Sequence, residues 1–233
     1  MFENNYIISH RGIYDNKEVY ENTLEAFKLA LYKKYAIELD VRLTKDNKVI
    51  VFHDANTKRL TCQDKVVEES TYEELNKQKK FHIPLLSEVL ELVKGNVPLL
   101  IEVKEHKNVG KLEQVLMNIL NDYKGKYAIQ SFSPLIIYWF KRNYPKVPRG
   151  QLSKRYKNKK QSFIKKILLE NMYFNIITKP NFISYKYNEL SLSKINKYKR
   201  KNIKVLGWTI PNDQEFNKYK DYYDNLICDK TLD

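Results

Sequence analysis

The chain has 233 residues, 42% of them hydrophobic, and a formal net charge of +14. That is enough apolar side chain for a substantial core in one large domain or two small ones, while no apolar run approaches the ~20 residues that a membrane-spanning helix needs. Cys62 and Cys228 stand far apart and outside any CxxC pattern, which points to neither a metal cluster nor a disulfide framework.

Nothing at the N-terminus resembles a signal peptide, and two expected free thiols suit a reducing compartment, so the expected location is the cytoplasm. The positive charge is unevenly spread. Residues 1–140 hold 20 Lys and Arg against 20 Asp and Glu, whereas residues 141–233 hold 22 against 8. A segment such as Lys154-Arg155-Tyr156-Lys157-Asn158-Lys159-Lys160 has the composition to draw anionic substrates, a membrane surface or nucleic acid, and equally that of a solvated face.

In chain order, Tyr6-Ile7-Ile8-Ser9 reads as a short strand that delivers His10 and Arg11 at its C-terminal end before Gly12. Asn22 with Glu25 three positions on resembles a capping box, and Leu24, Phe27, Ala30 and Leu31 form one helical stripe behind it. Residues 36–41 then alternate with the period of a strand, so Glu38 and Asp40 share one face and Ile37, Leu39 and Val41 the other. Residues 41–54 are too few for a parallel crossover and predict a hairpin turning at Asp46-Asn47. Pairing outward from that turn puts His53 opposite Asp40 and so carries an imidazole to the carboxylate pair.

Residues 55–82 are polar and irregular, with a short helix expected at 71–75. Ser87 is the expected cap of a helix with Val89, Leu90 and Val93, and the strand 99–104 again alternates, with Leu100, Glu102 and Lys104 on one face. Helices follow at 111–122, 134–143, 161–171 and 191–201, and strands at 127–132, near 149–152, near 182–187, at 203–209 and at 225–229. Eight strands alternating with helices imply a parallel sheet closed into a TIM-type (β/α)8 barrel, one domain over 1–233, with a small hairpin excursion and an insertion at 55–82 after the second strand.

The ordered set His10-Arg11-Gly12, Glu21-Asn22-Thr23, Glu38-Leu39-Asp40, Thr44-Lys45-Asp46, His53-Asp54 and Glu102-Val103-Lys104 resembles the signature of the glycerophosphodiester phosphodiesterase family. The resemblance extends through Gln130-Ser131-Phe132, Gly207-Trp208-Thr209 and Ile227-Cys228-Asp229, nearly the whole chain. It implies hydrolysis of glycerophosphodiesters to glycerol 3-phosphate and an alcohol, through a cyclic intermediate or by direct attack of water. Tyr20, Asn47, Pro211, Cys228 and Thr231 depart from the usual pattern, in places that bear on the shape of the substrate pocket.

Barrel active sites form at the C-terminal ends of strands, where His10, Arg11, Glu38, Asp40, Glu102, Lys104, Trp208 and Asp229 all fall. Three carboxylates without Cys or a His cluster make an oxygen-rich site suited to Mg²⁺ or Ca²⁺, and the resemblance implies Glu38, Asp40 and Glu102 as its ligands. By the same resemblance His10 and His53 are the general base and general acid, in either order. Arg11 fits bidentate phosphate recognition and Lys104 adds a second positive charge. Glu21 and Asn22 have three open readings: a cap, support for Arg11, or contact to a glycerol hydroxyl. Trp208 reads as core or as a wall against the leaving alcohol, and His82 and His106 as structural.

Two alternatives stand beside this one. A lysophospholipase D-type phosphodiesterase at a membrane surface would use the basic C-terminal part to meet anionic lipid. A non-catalytic barrel would bind anions or nucleic acid there, with no need for carboxylates and imidazoles at one mouth.

Overall fold

The computed structural model describes residues 7–156 and 162–229. Tyr6, Lys157 to Lys160, Gln161 and Thr231, which bear on the strand, charge and pattern expectations above, lie outside the described residues. The chain runs β1 (Ile7–His10), α1 (Leu24–Tyr32), β2 (Ala36–Leu43), β3 (Val49–Val51), α2 (Lys58–Thr61), a 3-10 turn at Val67–Glu69, α3 (Tyr72–Asn76), α4 (Leu86–Val93), β4 (Leu99–Val103) and α5 (Lys111–Leu120). It continues through β5 (Tyr127–Ser131), α6 (Pro134–Asn143), β6 (Arg149–Ser153), α7 (Phe163–Glu170), α8 (Asn175–Thr178), β7 (Phe182–Lys186), α9 (Leu192–Lys199), β8 (Lys204–Ile210), α10 (Asp213–Tyr219) and β9 (Asn225–Cys228).

Because β1 pairs in parallel with both β9 and β2, the strands β1-β9-β8-β7-β6-β5-β4-β2 close into a parallel barrel, with β3 antiparallel on β2 outside the ring. Alternation along each strand divides its side chains between two environments. Ile37, Leu39 and Val41 of β2 pack with Leu99, Ile101 and Val103 of β4 against Phe27 and Ala30 of α1 and Leu86, Val89 and Val93 of α4. The other set points into the barrel, where Ile8, Ala36, Leu100, Ala128, Phe182, Leu206 and Ile227 form an apolar plug. A Cβ on Gly150 would meet the Phe182 ring at 2.1 Å, so glycine is what lets that ring fill the barrel at this level. Two residues further along the same strands come His10, Glu38, Glu102, Gln130 and Trp208. The interior thus changes from apolar to polar toward the C-terminal ends, which is where the site is built.

The hairpin register differs by one residue from the expectation. Val41 pairs with Val51, Arg42 with Ile50 and Leu43 with Val49, so Phe52 rather than His53 stands opposite Asp40, donating its N–H to the Asp40 carbonyl at 2.9 Å. The loop has three residues, 45–47, instead of two. Asn47 at φ +60° supplies the left-handed residue that completes such a loop.

Two caps also differ. Thr23, not Asn22, caps α1, its hydroxyl accepting from the Ala26 N–H, because Asn22 sits at φ +58° with its side chain turned to Asp40. Ser87 lies inside α4, whose first turn is tied by the Leu85 N–H donating to Glu88 at 2.6 Å. Residues 55–82 are more ordered than their polarity suggests, since Leu60, Val67 and Leu75 pack with Ile50, Phe52 and Ile83 as a separate small core, and Tyr20 stacks on Phe81 beside it. The helices α8 and α10 escaped the sequence reading. Both are short, and α10 buries none of its residues, so neither leaves an apolar stripe in the sequence.

Candidate active site

Adjacent strand ends deliver the acidic groups. In the β2–β4 register Asp40 stands beside Glu102, and in the β1–β2 register Glu38 stands beside His10. Glu38, Asp40 and Glu102 are all buried, and each offers a carboxylate oxygen within 4.8 Å of the others. Burial, then the charges of Asp40 and Glu102, push Glu38 well above the ordinary carboxylate range. Burial, then the charge of Asp40, raise Glu102 as well, although Lys104 opposes this. Asp40 goes the other way: burial alone would raise it, but Lys104, Arg11 and His53 together hold it far below the ordinary value.

Two cations answer this charge, Lys104 buried and Arg11 partly so. Lys104 Nζ lies 2.8 Å from Asp40 Oδ1 and 2.6 Å from Glu102 Oε1, and these anions raise the ammonium pKa against the opposing effect of burial. Arg11 Nε lies 3.2 Å from Asp40 Oδ2, while its backbone N–H donates to Glu38 Oε2 at 3.2 Å. Arg11 reaches this position at φ +60°, and Gly12 follows at φ +84°, where a Cβ would lie 2.8 Å from the Ala26 carbonyl carbon. The turn after β1 therefore requires the glycine of the His-Arg-Gly motif.

Were all three carboxylates ionised, these two cations would leave one negative charge in excess. An all-oxygen donor set in which two members resist ionisation fits a hard divalent cation, whose charge would favour the ionised forms. The trio is able to hold a metal ion.

The two histidines flank this cluster, each held at Nδ1 by a carboxylate: His10 by Asp229 Oδ1 and His53 by Asp54 Oδ1, both at 2.5 Å. A carboxylate at Nδ1 selects the tautomer with its proton there, leaving Nε2 able to accept one. Burial lowers the His53 pKa to about 4, an effect that Asp40 opposes and that Lys104 and Arg11 reinforce. His10, Arg11, Glu38, His53, Glu102, Lys104 and Trp208 all line one cavity of about 220 Å³. Seven residues read from the sequence thus meet around one space.

Glu21 and Asp40 sit behind that lining. Glu21 accepts from Arg11 Nη1 at 2.6 Å and from both terminal nitrogens of Arg59 at 2.7 and 2.9 Å, and Asn22 Nδ2 donates to Asp40 Oδ2 at 2.8 Å. Trp208 meets Phe132 edge to face at 5.5 Å. His82 and His106 pair with Glu88 and Glu113, each at 3.0 Å.

Arg59 is the functional residue that the sequence concealed. Its Nε donates to Asp54 at 2.6 Å while its terminal nitrogens hold Glu21, so one side chain ties the support of His53 to the support of Arg11. No periodic pattern marks an arginine on the four-residue helix α2. Gln130, quoted above only as part of the resemblance, and Lys154 also line the cavity; Gln130 stands beside Glu102 on the next strand.

The profile of the Glycerophosphoryl diester phosphodiesterase family matches residues 10–231. The chain belongs to this family. YhdW of Bacillus subtilis (strain 168), provisionally named a glycerophosphodiester phosphodiesterase, is 28% identical over 96% of this chain and 97% of its own. The glycerophosphodiester phosphodiesterase of Thermotoga maritima is 27% identical, with a TM-score of 0.77 over 97% of this chain and 95% of that one. An Oleispira antarctica phosphodiesterase, solved in complex with the product sn-glycerol-3-phosphate, shares the fold at a TM-score of 0.78 over 96% of this chain and 92% of that one, with 21% identity. Among the described residues no helix is long and apolar enough to cross a membrane.

Proposed function

We propose that the protein hydrolyses glycerophosphodiesters to glycerol 3-phosphate and a free alcohol, with a Mg²⁺ or Ca²⁺ ion bound by Glu38, Asp40 and Glu102. The observation that carries this reading is the pairing of two carboxylate-anchored imidazoles across one cavity with the acidic trio. A cation held by these three carboxylates would supply polarisation of a phosphoryl oxygen and offset the charge that develops there. Arg11 and Lys104 add positive charge where the remaining phosphate oxygens would lie. Glu21 orients Arg11, and Trp208 closes one wall of the cavity with its indole N–H lacking a partner among the described residues.

His10 and His53 move the protons. One takes a proton from the attacking hydroxyl at Nε2, and the other gives one to the departing alkoxide. Their Nδ1 partners keep both rings in register with the phosphorus. Removing either imidazole of that pair tests the reading directly: His10→Ala and His53→Ala should fold normally and lose on the order of a hundredfold or more in kcat. Wild-type turnover in either variant would remove its assigned role.

A second reading, action on lysophospholipids, is favoured by one observation. From His53, Glu102, Lys104 and Phe132 a groove of about 690 Å³ runs on to Tyr156 and α7, with room for an alcohol much larger than choline. Comparing rates on glycerophosphocholine and a long-chain lysophospholipid separates the two. The proposed location remains the cytoplasm, in keeping with a free, exposed thiol at Cys62.

A further inference from the structure

α7 packs in an unusual way. It is an eight-residue helix, Phe-Ile-Lys-Lys-Ile-Leu-Leu-Glu, in which five residues are apolar and none is buried. Phe163 is 75% exposed, Ile164 68% and Ile167 38%. Phe163 and Ile167 are one turn apart with Ile164 between them, so the three form a single stripe. Lys165 and Leu169, another pair one turn apart, line the groove that leads from the catalytic cavity. One side of the helix therefore walls the groove, and a different side presents bare hydrocarbon to solvent.

Around this stripe basic side chains outnumber acidic ones, Glu170 being the one acid on α7. Lys154 and Arg155 are exposed after β6, and Lys165 and Lys166 lie on the helix itself. A protein partner with an acidic face would satisfy the lysines but would gain nothing specific from an exposed row of Phe and Ile. A row of apolar side chains flanked by lysines is the pattern of a helix that lies in the boundary of a lipid layer, its hydrocarbon among acyl chains and its ammonium groups at anionic headgroups.

We infer that α7, with the basic residues beside it, seats the enzyme on an anionic lipid surface and thereby turns the groove and the catalytic mouth toward that surface. The inference rests on the proposed diesterase reading only for what the surface delivers; binding is read without turnover. Its two contributions act together. Each Lys or Arg near an anionic surface adds electrostatic attraction, and the stripe adds the transfer of its side chains out of water.

The test is co-sedimentation of the full chain with vesicles of phosphatidylcholine alone and of phosphatidylcholine containing phosphatidylglycerol. The double variant Phe163→Ser/Ile164→Ser is carried alongside, with a soluble glycerophosphodiester assay as a control for folding and turnover. Wild-type protein should partition to the anionic vesicles and not to the zwitterionic ones, and the variant should bind on the order of tenfold or more weakly with its thermal unfolding and soluble-substrate rate unchanged. Equal binding of wild type and variant, or no binding of wild type to anionic vesicles, would overturn the inference. Binding of a single-stranded oligonucleotide that displaced the vesicles and ignored both substitutions would assign the patch to nucleic acid instead. Absence of diesterase activity with vesicle binding intact would count against the proposed reaction and leave the docking surface standing.

Discussion

His10 and Asp229 are 219 positions apart in the chain and 2.5 Å apart in space, Nδ1 to Oδ1. Closure of the barrel makes the contact: β1 pairs with β9, Ser9 aligned with Cys228, and the next residue on each strand carries the imidazole and the carboxylate. A mechanistic pair is thus assembled only when the first and last strands meet.

Asp229→Asn should therefore act on turnover more than on binding or stability. The side chain is about a third exposed, so its loss leaves the fold intact. The amide no longer fixes the tautomer and orientation of His10, and kcat should fall by roughly a hundredfold with KM little changed. Steady-state kinetics beside a thermal melt checks this; an unchanged kcat would detach Asp229 from the reaction.

Glu21 carries a pH signature. Burial alone would raise its pKa, but hydrogen bonds and charge from Arg59 and Arg11 lower it from 4.5 to about 2. The folded value lies below the unfolded one, so the stabilisation is fully present above pH 4.5 and is lost as pH falls through about 2. That drop corresponds to about 3 kcal/mol at about 1.4 kcal/mol per pH unit. Glu21→Gln should lower urea-unfolding stability at pH 7 by an amount of that order, and the gap to wild type should narrow steadily below pH 4.5. A gap that stayed constant down to pH 3 would contradict the assignment.

Much of this site was readable beforehand because strands impose period two. The alternation of Ile37, Glu38, Leu39, Asp40 and Val41 fixes which side chains meet inside the barrel, whatever the helices do. The register of the hairpin was not readable, since a loop of two or three residues at Asp46-Asn47 depends on one left-handed residue. Nor was the role of Asn22, whose side chain was free to cap its own helix and bonds Asp40 instead. Arg59 was invisible for a related reason: it joins Glu21 and Asp54 across 38 and 5 positions, and no local pattern encodes such a bridge.

Lys104 should link stability to cation binding. It is 8% exposed and bonded to two of the three carboxylates, so Lys104→Met leaves buried anions with one cation fewer. Removing one partner of such a pair typically costs about 3–5 kcal/mol. Metal-free Lys104→Met should be destabilised by an amount of that order, and millimolar Mg²⁺ or Ca²⁺ should recover more stability in the variant than in wild type. Equal cation-induced shifts in melting temperature would argue that the trio and the ion do not meet.

The central claim is that these groups hydrolyse a glycerophosphodiester with a cation at Glu38, Asp40 and Glu102. The most direct measurement is glycerol 3-phosphate release from glycerophosphocholine and glycerophosphoethanolamine by purified protein, with Mg²⁺, with Ca²⁺ and with chelator. Release that requires one of the cations and disappears in Glu102→Gln is the expected result. Folded wild-type protein that releases no glycerol 3-phosphate with either cation, or releases it equally in chelator, would contradict the account.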